Sequence, residues 1–126
     1  PFGDAERECK KAEQQQATFI FYIDSQYPSR LKSANDAPTL LYTKGNINFE
    51  NPKTIGIVGT RKSTDYGRVC IEELMAGLIP HHPLIISGLA YGIDILAHRL
   101  ALKNNLPTIG VLGSGLDVVY PTAHQD

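Results

Sequence analysis

The chain has 126 residues, 42% hydrophobic and 20% charged, a composition that excludes a disordered or collagen-like polymer. Its 12 Lys and Arg against 13 Asp and Glu leave a formal net charge of -1. That excludes a protein that holds nucleic acid by bulk positive charge, but not one with a local basic cleft. The length suits one domain with a real core and not two.

In chain order, Asp4 to Gln16 reads as a helix with Ala5, Cys9, Ala12 and Gln16 on one side. Its apolar stripe is thin, so the helix is expected at the domain's edge. Thr18 to Ile23 (TFIFYI) is β-branched and aromatic, a short strand. Asp24 to Pro38 is turn-rich, broken at Tyr27-Pro28 and Ala37-Pro38, and Thr39 to Tyr42 is a short apolar run closed by Lys44-Gly45-Asn46.

From Lys53 the pattern changes. Thr54 to Val58 (TIGIV) is an apolar strand, followed by a polar turn and a helix with Ile71, Leu74, Met75, Leu78 and Ile79 at helical spacing. Pro80 and His81-His82-Pro83 stop that helix. Leu84 to Ser87 is a second strand, and a second helix carries Ile93, Leu96, Ala97, Leu100 and Ala101 on one face before ending near Asn104-Asn105. Pro107 to Leu112 is the third strand, leading into Gly113-Ser114-Gly115.

Short apolar strands alternating with helices predict an α/β fold. Right-handed crossovers make the three strands parallel neighbours. The expected architecture is a Rossmann-like three-layer sandwich with a mainly parallel sheet, of which this is one mononucleotide-binding half.

In such a sheet the carboxyl ends of the strands share one edge, where ligands bind. Three turns should converge there: Gly59 to Thr64, Ser87 to Gly92, and Gly113 to Asp117. Free amides and the helix dipole favour an anion at that edge, and glycine lets a phosphate approach the backbone. Arg61 and Lys62 add cations, and Ser63 and Thr64 add hydroxyls that cap a helix or donate to phosphate. The plainer alternative has Thr64 capping the helix while Arg61 and Lys62 point into water. Gly67, in the first helical turn, implies close approach of a strand or ligand. Tyr91 either stacks on a base or covers the core's edge. Asp94 and His98 share a helix face. With no nucleophile beside them, the simpler reading is a carboxylate complementing the helix dipole and a histidine that packs or caps.

Several chemistries fail. There is no GxxxxGK[ST], no GxGxxG after the first strand and no GxSxG. Adjacent His81 and His82 face apart, unlike metal ligands. Cys9 and Cys70 are distant and have no CxxC partner, so neither a disulfide scaffold nor a cysteine-rich zinc site is expected, and a reducing cytoplasm is the default. No apolar run approaches the roughly 18 to 20 residues of a membrane span, and no leader is visible. Because the first residue is Pro1 and not Met, something is expected upstream. No catalytic set, cofactor motif or metal site emerges.

Together these residues resemble the DNA processing protein A family (DprA, also called Smf). The resemblance rests on Tyr27-Pro28 with Leu31, Pro38 to Gly45 (PTLLYTKG), and Ile57-Val58-Gly59-Thr60-Arg61 with Tyr66-Gly67. It continues through Ser87 to Asp94 (SGLAYGID), Ala97-His98, Ala101-Leu102, Thr108 to Gly115, and Tyr120-Pro121. The pairing of SGLAYGID with the earlier GTR is its specific part, and the similarity runs from about residue 18 to the end.

The resemblance implies a protein, not known as an enzyme, that binds single-stranded DNA, protects incoming strands and loads RecA recombinase during natural transformation. It implies a homodimer of the full-length protein. It maps the family's DNA-pocket arginine onto Arg61, with the backbone of Gly59 and Thr60 and the bend containing Ser87, Gly88, Tyr91 and Gly92 lining the same pocket; Lys62 and Ser63 join this candidate nucleic-acid-binding set through their place in the first turn. It reads residues 1–17 as a remnant of an upstream helical region and 18–126 as the N-terminal part of the Rossmann domain, with a further basic segment and much of the dimer surface beyond Asp126. Two other readings remain: a nucleotide-binding or nucleoside-monophosphate-cleaving enzyme using Asp94, whose GGxxGxM-like motif is absent, and a protein-interaction scaffold.

Overall fold

The structure is a computed structural model and describes residues 2–116. Two compact units divide between Glu50 and Asn51, whereas the sequence placed a boundary at residue 17. The difference has a local cause. The strands on either side of the turn-rich segment pair with each other and close a small unit of their own.

In that first unit, α1 (Phe2–Gln14) carries exposed pairs Asp4–Arg7, Glu6–Lys10 and Glu8–Lys11 on its polar faces. Such pairs contribute little each. Only Ala12 of the expected stripe is buried; Cys9 is exposed. The helix stops two residues before the expected Gln16, which turns left-handed (φ 55) while the Ala17 amide donates to Ala12 O at 2.8 Å. That is a Schellman-type ending.

β1 (Thr18–Phe21) and β2 (Leu40–Thr43) form an antiparallel ladder with Phe19 opposite Tyr42, their rings edge-on at 5.1 Å. Between them lies α2 (Ser29–Lys32), a single turn the sequence did not announce. The buried Tyr27 fastens this segment by donating its hydroxyl to Pro38 O at 2.6 Å, and desolvation pushes its phenol pKa up.

Glu50 holds the start of α2. Its Oε1 accepts the Ser29 amide at 2.9 Å and Oε2 accepts the Ser29 hydroxyl at 2.8 Å. These bonds, the backbone one first, hold the Glu50 carboxyl below the usual carboxylate range. A lowered folded-state pKa means stability that is present above that range and lost as pH falls through the folded value. Glu50→Gln is therefore expected to lower stability at pH 7 and to flatten the acid limb of the unfolding profile below about pH 4.5, where variant and parent converge. An unchanged limb in circular-dichroism titrations would show that the bond contributes nothing.

The second unit is β3 (Thr54–Gly56), α3 (Asp65–Leu78), a 3-10 turn at Ile79–His81, β4 (Leu84–Ser87), α4 (Ile93–Lys103) and β5 (Thr108–Gly110). The strands are parallel in the order β3-β4-β5, with Ile55 beside Ile85 and Ile85 beside Thr108. Pairing continues past the short strands, since Ile57 N donates to Ile86 O and Val111 N to Ser87 O. The α/β, parallel-sheet expectation is thus met.

One core joins Ile57 and Ile85 to Ile71 and Met75 of α3 and Ala97 and Ala101 of α4, so both helices cover the same sheet face. Ile85, Ala97 and Ala101 are fully buried. Small residues one helical turn apart let α4 lie close to the sheet, and burying Ile85 contributes about 1.5–3 kcal/mol. Leu74, placed with the core by its spacing, is 50% exposed. Ile71, Met75 and Leu78 define the inward face, and Leu74 falls on its flank.

Candidate functional site

Parallel register brings the carboxyl ends of β3, β4 and β5 side by side, and the loops leaving them meet. The closest junction is between the first two. Gly92 has φ 86 and ψ -126, and a Cβ there would lie 2.1 Å from Thr60 O and 2.7 Å from Arg61 O. The Ile93 amide also donates to Thr60 O at 3.2 Å. Gly59 is needed for a related reason, since its Cβ would lie 2.6 Å from Ile93 Cβ.

Asp94, buried in the first turn of α4, accepts the Gly59 amide on Oδ1 at 3.2 Å. A carboxylate is favourable at a helix N-terminus. It also means that the Gly59 amide, at the start of the loop's glycine turn, is engaged by the chain's own anion.

His98, one turn later, does not bond Asp94. Its Nε2 lies 2.8 Å from Gly88 O and its Nδ1 2.7 Å from Thr108 Oγ1. A carbonyl only accepts, so Nε2–H donates to Gly88 O. The imidazole ties α4 to the β4 loop and to β5, and the Thr108 hydroxyl, whose one proton serves a single acceptor at a time, also lies 3.1 Å from Ile85 O. Among the described residues no group of three or more His, Cys, Asp or Glu could hold a metal.

The sequence-predicted residues separate into two open clefts and the framework between them. Arg61 and Gly88 line a cleft of about 420 Å³, closed by Leu89, Ala90 and the Val111–Ser114 loop. Ser63, Tyr91 and Gly92 line a second, of about 530 Å³, between α3 and α4. Gly59 and Thr60 form the framework through the contacts above. The Thr60 hydroxyl also accepts the Lys62 amide at 3.2 Å, and Lys62 is exposed outside both linings. Ser87 is buried, its hydroxyl donating to Ile57 O at 2.6 Å, so it joins β4 to the end of β3. Asp117, Tyr120 and Pro121 lie outside the described residues.

The structure adds residues that the motifs did not single out. Arg68, Glu72 and Arg99 line the second cleft, while Leu89, Val111 and Leu112 make the first largely apolar. Helical spacing puts Arg68 and Glu72 on one face of α3, but nothing local announces Arg99 across from them.

Thr64 caps α3, its hydroxyl accepting the Gly67 amide at 3.1 Å. Gly67 itself is not forced by crowding: a Cβ would meet Thr64 Oγ1 at 3.5 Å and Ile93 Cδ1 at 3.8 Å, ordinary contacts. Gly67→Ala is accordingly expected to stabilise the chain by about 0.5–1 kcal/mol in denaturant titrations. A destabilised variant would show that the turn is more crowded than these distances indicate.

The sequence profile of the DNA recombination-mediator protein A family matches residues 18–126. The chain is 42% identical over 103 residues to DNA processing protein DprA of Streptococcus pneumoniae, covering 82% of this chain and 36% of that protein. It is 35% identical over 98 residues to protein Smf of Escherichia coli, covering 78% and 26%. The X-ray structure of DNA processing protein A from Streptococcus pneumoniae superposes with a TM-score of 0.78 at 40% identity, covering 88% of this chain and 39% of that one. A structure of DNA processing protein A from Helicobacter pylori, which describes that protein's single-stranded DNA binding mode, gives 0.72 at 30% identity, covering 86% and 47%. The chain thus spans about a third of the length of the curated relatives it matches.

Proposed function

Because this chain belongs to the DNA recombination-mediator protein A family, we propose that it supplies the single-stranded DNA cleft of such a protein. The observation that carries the reading is the position of Arg61. It lines an open cleft at the carboxyl edge of a parallel sheet, and among the described residues its guanidinium has no carboxylate partner.

The division of labour follows from the contacts. Asp94 fixes the loop at Gly59, Gly92 seats against Thr60 and Arg61, and Arg61 then presents a planar fork of donors suited to phosphate oxygens. Leu89, Val111 and Leu112 offer apolar surface to sugar or base. No step of bond making is required of these residues. The chain acts by binding, and in the whole protein it would shield strands and pass them to RecA recombinase, as a homodimer, in the cytoplasm.

Fluorescence anisotropy with labelled oligo-dT tests this directly. The expected result is saturable binding at low salt, weaker for duplex of the same length. The logarithmic salt slope should be shallow, about 0.7 per phosphate neutralised, because few cations gather at the edge. Absence of oligo-dT binding at low salt would refute the reading. Release of free base from a nucleoside monophosphate would refute the purely binding role.

A further inference from the structure

We propose that the cleft between the opening turns of α3 and α4 is a second subsite for the same strand, receiving the nucleotides that leave the Arg61 cleft. The proposal rests on the single-stranded DNA reading of that first cleft and extends it to residues of a different wall, Arg68 and Arg99.

Continuity is the first argument. The bend after β4 is a ridge with a cleft on either side: Leu89 and Ala90 face the first, Tyr91 and Gly92 the second. Gly92, which lines the second cleft, is seated against the backbone carbonyl of Arg61, which lines the first, so the two depressions are neighbours. A strand seated on Arg61 and crossing between them enters the second cleft.

Chemistry is the second. Arg68 from α3 and Arg99 from α4 approach the space from two helices, and among the described residues neither forms an ion pair. Arg68 Nε reaches Ser63 Oγ at a long 3.5 Å, which leaves most of its donors for a ligand. Ile95 and Leu96 supply apolar lining, and Tyr91, 45% exposed, supplies an aromatic face. Cations, an apolar floor and an aromatic ring are what a sequence-tolerant single-strand site combines. The volume, about 530 Å³, falls in the range that accommodates a nucleotide-sized ligand. Glu72 is the opposing feature. Its carboxylate lines the same cleft and repels phosphate, so its charge should limit affinity.

The test is anisotropy on this chain with oligo-dT of about 4 and about 12 nucleotides. Arg68→Gln with Arg99→Gln should weaken the longer strand roughly tenfold and reduce its salt slope by about 1.4, leaving the shorter within about twofold. Glu72→Gln should tighten the longer strand roughly two- to threefold. Lys53→Gln, an exposed cation outside both clefts, should change neither. The subsite is refuted if the double variant matches Lys53→Gln on the longer strand, or weakens both lengths equally. If the double variant does not fold, Glu72→Gln decides alone, and unchanged affinity refutes the subsite. Failure of the unmodified chain to bind either length would remove the first cleft's reading and this one together. Loss confined to the double variant's contribution would leave the first cleft standing.

Discussion

Arg61→Ala is expected to lower oligo-dT affinity roughly ten- to hundredfold while leaving thermal unfolding unchanged. A charge-assisted hydrogen bond is worth about 1.5–3 kcal/mol, and each 1.4 kcal/mol is tenfold in affinity. The salt slope should fall by about 0.7 for the phosphate no longer neutralised. Stability is spared because the side chain is exposed and holds no ion pair among the described residues, while the Arg61 carbonyl that meets Gly92 survives the substitution. Arg61→Lys should fall between the two, keeping the charge and losing the planar fork. If Arg61→Ala retained both affinity and salt slope in anisotropy titrations, the phosphate role assigned to Arg61 would be wrong.

Gly92→Ala should have the larger effect on folding, about 3–5 kcal/mol. Two costs combine. A side chain at φ 86 and ψ -126 is strained whatever surrounds it, and here the new methyl would meet the Thr60 carbonyl at 2.1 Å. The obstructing atoms, Thr60 O and the Arg61 carbonyl carbon and oxygen, are all backbone, so relief requires moving the Thr60–Arg61 segment away from α4. That movement carries Arg61 with it, so oligo-dT affinity should fall even where the variant remains folded. Gly77→Ala is the contrasting case: Gly77 sits inside α3 with nothing within 4 Å of the added carbon, and about 1 kcal/mol of stabilisation is expected. Denaturant titrations distinguish the pair. A Gly92→Ala variant within about 1 kcal/mol of the parent would contradict the turn-to-turn contact described above.

The second cleft shows where pattern reading reaches its limit. Tyr91 stood out because it interrupts a glycine-bounded bend, and the structure places it on the rim facing α3 rather than in the Arg61 cleft. Arg68 and Arg99 belong to no motif in the sequence. They become a pair only when α3 and α4 pack side by side through Met75, Ala97 and their neighbours. Asp94 and His98 illustrate the reverse. Their spacing put them on one face, yet each bonds a different loop.

What could be read from residue order alone was the alternation of short apolar strands with helices, the Thr64 cap, and the glycine-bearing loops that gather at the carboxyl edge. Those features follow from interactions within a few residues, which leave a period or a cap in the chain. Which donors remain for a ligand was decided by packing. The Gly59 amide is engaged by Asp94, 35 residues away, the Ser87 hydroxyl by Ile57, 30 away, and α2 is held at Ser29 by Glu50, 21 away. Partners so distant are brought together by the crossovers and by chain reversal, and no local repeat marks them in advance.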